Sequence, residues 1–517
     1  MKHTGARRWW ALGAISLALL AIGLDQTVLN LALPTLSTSL HASESELQWF
    51  VTAYTLALAA AMLPAGLLGD RYGRKTLLVT ALVLFGAASV ACAYSPSAGT
   101  FIAARAVLGL AGAAIIVMSL SVVTVLFSEE ERPRAIGIWS AANFLALPLG
   151  PIVGGYILAH LWWGWVFLMN VPVTLLGLAA VVALLAPSKS AERRSFDFVG
   201  IVSSSAGLVA LMYGLVQAGE QGWGDSSAIG PVAVGLAILA LFVAWESRLG
   251  RRPGGQPLVD LALFRSRSFT WGVTLTALGV FGLFGVLFTL PQYLQAIQGL
   301  DAQGAGLRFL PAIAGLVVGA ISADRVANRL GTKATVAIGF VVLAVGMIVG
   351  STTAVSSQDP FIAAWTFIVG AGAGLGFATA ASSAVVELSA ERSGVGSGLL
   401  QTVVKLGPAF GATILGSVLN ATYQSRLDVT GLPADAAAAV EKSVFGGLAV
   451  AQQLGSPALL DSVRAAFVAG MDDASRLAAG VAFVAVILGI AFLPGRDRAA
   501  ETAAQGGELL RDLAPRN

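Results

Sequence analysis

The sequence predicts an all-α polytopic membrane protein with fourteen transmembrane helices, and three observations carry that prediction. Of the 517 residues, 56% are hydrophobic and only 11% are charged, with a mean hydropathy of +0.80. A soluble chain carries roughly 25% charge. Here apolar blocks of about 20 residues, enough to cross ~30 Å of hydrocarbon, follow one another along the whole chain. Basic residues are sorted into alternate loops, and the second half of the chain repeats motifs of the first.

Taken in order, the apolar windows place spans near 9–33, 47–69, 75–95, 100–127, 135–159, 164–186 and 199–218. The rest fall near 228–246, 269–294, 304–326, 333–354, 360–386, 394–421 and 475–494. The first follows Lys2, Arg7 and Arg8 and lacks an A-x-A-like cleavage site, so it is expected to remain as an uncleaved span. Lys and Arg cluster in every second loop, and the six short loops between them hold none. The positive-inside rule then puts both termini in the cytoplasm and the protein in the cytoplasmic membrane. A net charge of +3 sorted by topology gives no reason to expect a nucleic-acid partner. The single cysteine, Cys92, excludes an internal disulfide, and no cluster of metal ligands lies in the spans.

The repeat appears in two motifs. Gly66-Leu-Leu-Gly69-Asp70-Arg71-Tyr-Gly73-Arg74-Lys75 has a looser copy at Ala320–Lys333, and Leu149-Gly150-Pro151-Ile-Val-Gly154 returns as Leu406-Gly407-Pro408-Ala-Phe-Gly411. Asp70 and Asp324 stand 254 residues apart, Gly150 and Gly407 257. Two matches at nearly one offset indicate parallel six-span halves. The halves are 1–190 and 266–495, with two spans inserted at 191–265 and a tail at 496–517.

These residues resemble a known family. GLLGDRYGRK at 66–75 resembles the signature loop of the major facilitator superfamily, and Arg105 with Gly109 and Gly112 resembles its fourth-span motif. Gly150-Pro151 with Gly154-Gly155 looks like the fifth-span motif of its antiporters. LDQTVLNLALP at 24–34, QWFVTAYTL at 48–56 and the fourteen spans are similar to its drug:proton antiporter branch. One departure is Trp163-Gly164-Trp165, where the family usually has Arg between the tryptophans. The resemblance implies the major facilitator fold and proton-coupled export of small amphipathic drugs, dyes or antibiotics by alternating access. It implies a monomer among membrane lipids, with the proton gradient as energy source, no cofactor and no enzymatic activity. A primary pump is disfavoured because no G-x-x-x-x-G-K-[ST] phosphate loop occurs. Export of a native metabolite or lipid is the alternative, and a nutrient importer of the same fold a weaker one.

Asp25 is the natural proton carrier, because an ionisable group inside a span is expensive and functional by default. Arg105 enters span four at a depth where the two side chains can meet. Burial and a nearby guanidinium act on a carboxylate in opposite senses, so a change in either changes its protonation. A static structural ion pair is the plain alternative. Asp70 is expected to engage the positive end of span thirteen's dipole near Ser393–Gly398, and Arg71 and Arg74 to pair with Glu129–Glu131. With Gly66 and Gly73 they form a switch candidate. Gly150, Pro151, Gly154 and Gly155 are expected to form a kinked, closely packed face where the halves meet.

Candidate substrate groups are Asp25, Gln26, Asn30, Asn143, Gln292 and Gln401, with a Phe281, Phe284 and Phe288 stripe on span nine. The stripe suits stacking on planar ligands, and packing or lipid contact equally. Lys405, inside span thirteen, reads as a counter-charge, an anion site or a snorkelling side chain. Residues 422–474 are expected to form a helical hairpin on the outer face.

Overall fold

The computed structural model describes residues 5–42, 44–128, 131–185, 197–252, 255–386 and 393–494. The N-terminal six spans are α1 (Gly5–Ser39), α2 (Glu44–Tyr72), α3 (Arg74–Ala93), α4 (Ala98–Leu126), α5 (Arg132–His160) and the pair α6 (Trp165–Leu168) and α7 (Asn170–Leu184). The inserted spans are α8 (Phe198–Gln221) and α9 (Ser226–Gly250). After a 3-10 turn at Leu261–Arg265 come α10 (Arg267–Gln292), continued by a π turn at Tyr293–Ile297, α11 (Ala302–Leu307) and α12 (Leu310–Leu330). Then follow α13 (Thr332–Gly350), α14 (Asp359–Val386), α15 (Ser393–Arg426), α16 (Ala434–Lys442), α17 (Val444–Gln453) and α18 (Pro457–Phe492).

Among the described residues thirteen helical stretches are long and apolar enough to cross a membrane, and the 29-residue α5 stands at the remaining predicted span. Polar caps and glycines set the ends. Ser97 closes a capping box with Thr100 at the start of α4, and Asp197 and Asp225 cap α8 and α9 by accepting from Gly200 N and Ser227 N. Gly73 and Gly331 begin α3 and α13 at φ 105° and 85°, a region that favours glycine. The two copies of the loop motif thus share a backbone device.

The repeat also governs packing. Within the first half α1 lies on α5 and α7, and α2 on α4; within the second, α10 lies on α15 and α14, and α12 on α14. α5 reaches across to α11, α12 and α14, while α15 reaches back to α2 and α4. A β-carbon on Gly137 of α5 would stand 3.0 Å from Ala320 Cβ and O of α12, and one on Gly398 of α15 would stand 2.9 Å from Met62 O of α2. Both approaches lie at the end that carries the basic loops. One apolar core runs from Phe50, Phe85 and Phe101 of the first half through to Val395 and Leu400 of α15, across the boundary between the halves.

The inserted pair joins at one seam. α8 packs on α2 and on α15, and Ser205 Oγ donates to Ala60 O of α2 at 2.7 Å while Thr413 Oγ1 of α15 donates to Leu215 O of α8 at 3.0 Å. α9 packs on α8 through close approaches at Gly207, Gly214 and Gly235. Its other face leaves Ile229, Val234, Leu236, Leu241 and Val243 exposed, as a lipid-facing helix does.

Two sequence-based expectations change. The predicted span at 475–494 is the second half of α18, a 36-residue helix that starts at Pro457 behind a Ser456 cap. At 1.5 Å per residue that is ~54 Å, well beyond the hydrocarbon. The predicted hairpin is therefore only α16 and α17, docked on α15 by a hydrogen bond from Tyr423 Oη to Val440 O at 2.9 Å.

Candidate functional site

The two intramembrane charges predicted to meet do so. Arg105 Nη1 donates to Asp25 Oδ2 at 2.5 Å, with the Arg105 and Asp25 side chains 1% and 0% exposed. Arg105 Nε donates to Phe50 O at 3.0 Å, and its guanidinium lies 4.5 Å from the centre of the Tyr54 ring. Asn170 Nδ2 reaches Asp25 Oδ1 at 3.5 Å and Ser89 Oγ at 3.4 Å, while Gln26 Nε2 donates to Tyr54 Oη at 3.3 Å. Five helices of one half thus converge on a single charge pair. Phe50, Phe101 and Phe167 form a chain of tilted and edge-on rings beside it, with Trp163 edge-on to Phe167. These rings exclude water and strengthen the pair's Coulomb attraction.

Sequence reasoning missed Tyr54, Ser89 and Asn170. The signal was present for Asn170, an amide inside an apolar run, but a lone amide gives no partner.

The glycines of the α5 motif pack against a different helix from the one predicted. A β-carbon on Gly150 would collide with Thr27 and one on Gly154 would stand 2.5 Å from Val28 Cγ1, while Gly155 borders Leu31. These glycines therefore face α1 within their own half, next to Asp25, and not the opposite half. Thr27 Oγ1 completes the contact by donating to Ala146 O of α5 at 3.2 Å. The copy behaves alike: Gly407 and Gly411 of α15 press on Ala277 O and Phe281 O of α10. The Pro151 side chain lies outside the described residues.

At the basic end Asp70 is buried. Its Oδ2 accepts from Val395 N, in the first turn of α15, at 2.9 Å, and its Oδ1 takes Arg74 Nη2 at 3.0 Å. The helix-terminus partner is the one expected; the arginine partner is not. Arg74 turns inward to its own i−4 carboxylate, Glu131 pairs with Arg8 at 2.6 Å, and 129–130 lie outside the described residues. Arg71 stacks beside Tyr72. Gly66 lies 3.6 Å from the position of a β-carbon on Gly398, so it gives α15 access to α2.

The described members of the proposed substrate set have different neighbours. Phe281 is half-buried against α15, Phe284 packs on the core that continues from the first half, and Phe288 is exposed. Phe288 borders a cavity of ≈ 680 Å³ between α8 and the outer part of α15, with Asn420, Ser417 and Gln424 as its polar groups. The i, i+3, i+7 spacing sets three residues on one helix side, but neighbours of different depth cover them. Gln292 donates back to Phe288 O at 3.0 Å, a helix-end contact. Gln401 is buried on α15, and Lys405 one turn on is half-buried with no ion-pair partner among the described residues. The side chains of Asn30 and Asn143 lie outside the described residues.

Interhelix seams repeated in parallel in two six-span halves, with a charge pair buried in the first, define a multi-span membrane transporter. The chain belongs to the Major Facilitator Superfamily, whose family model matches residues 15–412. It is 33% identical over 496 residues to the Multidrug efflux pump LfrA of Mycolicibacterium smegmatis, covering 95% of this chain and 97% of that protein. It is 31% identical over 509 residues to the Tetracenomycin C resistance and export protein of Streptomyces glaucescens, covering 95% and 93%. Among solved structures, the human organic anion transporter MFSD10 matches 94% of this chain and 100% of its own at 15% identity and a TM-score of 0.62, a likeness of fold.

Proposed function

We propose that this protein is a proton-coupled antiporter of the cytoplasmic membrane that exports small amphipathic drugs, dyes or antibiotics by alternating access. The observation that carries this is the Asp25–Arg105 pair, a buried acid and base held by five helices of one half. Its relatives named for multidrug efflux and antibiotic export support the substrate class. Protonation of Asp25 removes its charge and so frees Arg105 and the α1 segment beside it, and deprotonation restores the pair. The basic end is cytoplasmic, with both termini there, and the Asp70–Val395 contact holds that side closed. The proton gradient is the energy source; the working unit is a monomer with no cofactor.

Vesicles loaded with a fluorescent cationic dye and given a pH step test this directly. Asp25→Asn is expected to fold and to lose proton-driven export. Undiminished export by that variant would remove Asp25 from the mechanism. Export of a native metabolite or lipid is a second reading, and the relative named for tetracenomycin C resistance and export favours it. A chromosomal position inside a biosynthetic cluster would support it over drug efflux.

A further inference from the structure

Outside the charge pair, the inserted helices hold a second buried acidic site. Asp197, the cap of α8, and Glu246, near the end of α9, are 7% and 1% exposed. Asp197 is well supplied with donors: Gly200 N reaches Oδ1 at 2.9 Å, and Trp245 Nε1 reaches Oδ1 and Oδ2 at 3.0 and 3.1 Å. Glu246 is not. Its Oε2 accepts from Val259 N at 2.8 Å, while its buried Oε1 has no hydrogen-bond partner among the described residues. That oxygen lies beside Asp197: the position of a β-carbon on Gly200 is 2.5 Å from Glu246 Oε1 and closer still to Asp197 Oδ2.

Two carboxylates so placed in a dry site cannot both stay ionised without a cation between or beside them. Among the described residues the charged groups on the surrounding elements do not serve. Arg248, Arg251 and Arg265 are exposed, Asp260 adds negative charge, Lys405 lies mid-helix on α15, Arg71 stacks on Tyr72, and Asp70 is held by Arg74. Among the described residues neither Asp197 nor Glu246 forms an ion pair. A divalent cation needs about six oxygen ligands, and no group of three metal-binding side chains occurs among the described residues. The occupant that fits two facing oxygens is a proton.

We propose that Asp197 and Glu246 form a proton-binding site distinct from Asp25, with one proton on Glu246 Oε1 donated to Asp197 Oδ2. Asp197, with its three donor contacts, keeps the charge; Glu246, with one, takes the proton. The pair then has one negative charge, and loss of the proton gives it two. The second charge drives the start of α8 from the end of α9 and loosens the segment 255–260, which Glu246 clamps through Val259. Because α8 is bonded to both halves at Ala60 and Thr413, the site links cytoplasmic pH to the rigidity of the seam.

The test uses the full-length protein in lipid nanodiscs. Difference infrared spectra across a pH titration should contain a protonated-carboxyl band that Glu246→Gln removes and Asp25→Asn keeps. The Gln amide retains the Val259 contact and donates to Asp197, so it mimics the protonated state. Hydrogen exchange at 255–260 should lose protection on the order of tenfold on alkalinisation, beyond the intrinsic rate change, in wild type and not in Glu246→Gln. Persistence of the band in Glu246→Gln, or one exchange profile for both proteins, would overturn the proposal. Loss of the band on adding sodium at fixed pH would overturn it in favour of a cation site. A transport-dead Asp25→Asn that keeps band and profile supports it, so the two sites are judged separately.

Discussion

Gly150 of α5 lies so close to Thr27 of α1 that no β-carbon fits between the helices. Thr27 is two residues from Asp25, so the contact sets where the carboxylate stands. Gly150→Ala must push α1 and α5 apart, an overpacking cost of about 1–3 kcal/mol. The expected outcome is reduced thermal stability together with lost proton-driven transport. Dye export and melting in detergent check it; a stable, fully active variant would leave the glycine as mere packing.

Arg105→Ala should destabilise the protein by about 3–5 kcal/mol, because it strands a buried carboxylate. Asp25→Asn combined with Arg105→Gln removes both charges and should cost less than the alanine variant alone. Denaturant or thermal unfolding of the two variants against wild type measures the difference. A double variant that is the less stable of the two would show that the pair contributes by packing and not by charge.

The spans and the meeting of Asp25 with Arg105 were legible because cost leaves a pattern. Charges inside apolar runs are rare, and alternate loops carry the basic residues. What was not legible depended on which way a helix turns. Gly150 and Gly154 announce a close approach but not the helix approached, and it proved to be α1. Arg74 has an acid four residues back and others in a neighbouring loop, and only the fold chooses Asp70. Glu246 fell at a predicted span end, where an acid reads as solvated; the return of Val259 over it buries it.

Asp70→Asn should slow turnover more than it weakens ligand binding. The amide can still accept from Val395 N, but it no longer holds Arg74 by charge or complements the positive end of α15. Dye affinity by fluorescence titration and export rate in vesicles separate the two effects. Equal loss of both would reject a switching role.

Ser205→Ala with Thr413→Val removes the Ser205–Ala60 and Thr413–Leu215 hydrogen bonds across the seam. Each is worth about 1 kcal/mol net, so the double variant should lose roughly 2 kcal/mol of stability while keeping its fourteen spans. Faster hydrogen exchange in α8 than in α9 would mark the seam as the part released. Unchanged exchange in α8 would show that packing alone holds the insertion.

The last expectation comes from counting buried acids. Among the described residues the buried carboxylates are Asp25, Asp70, Asp197 and Glu246. Asp70 sits at the basic rim bound to α15, and the Asp197–Glu246 pair lies on the inserted helices. Asp25 alone is left to carry a proton across, which makes one proton per cycle the expected stoichiometry. Exchange of one proton for one monovalent cation moves no net charge, so the membrane potential, worth roughly 2.3 kcal/mol per charge per 100 mV, cannot drive it. The pH gradient alone drives it, at about 1.4 kcal/mol per unit, or roughly tenfold accumulation. A neutral substrate is driven by both. Solid-supported-membrane currents should therefore be absent with a monovalent cation and present with a neutral drug, in wild type and in Glu246→Gln alike. Robust charge movement with the monovalent cation would require a second transported proton, and its disappearance in Glu246→Gln would place that proton at the inserted helices.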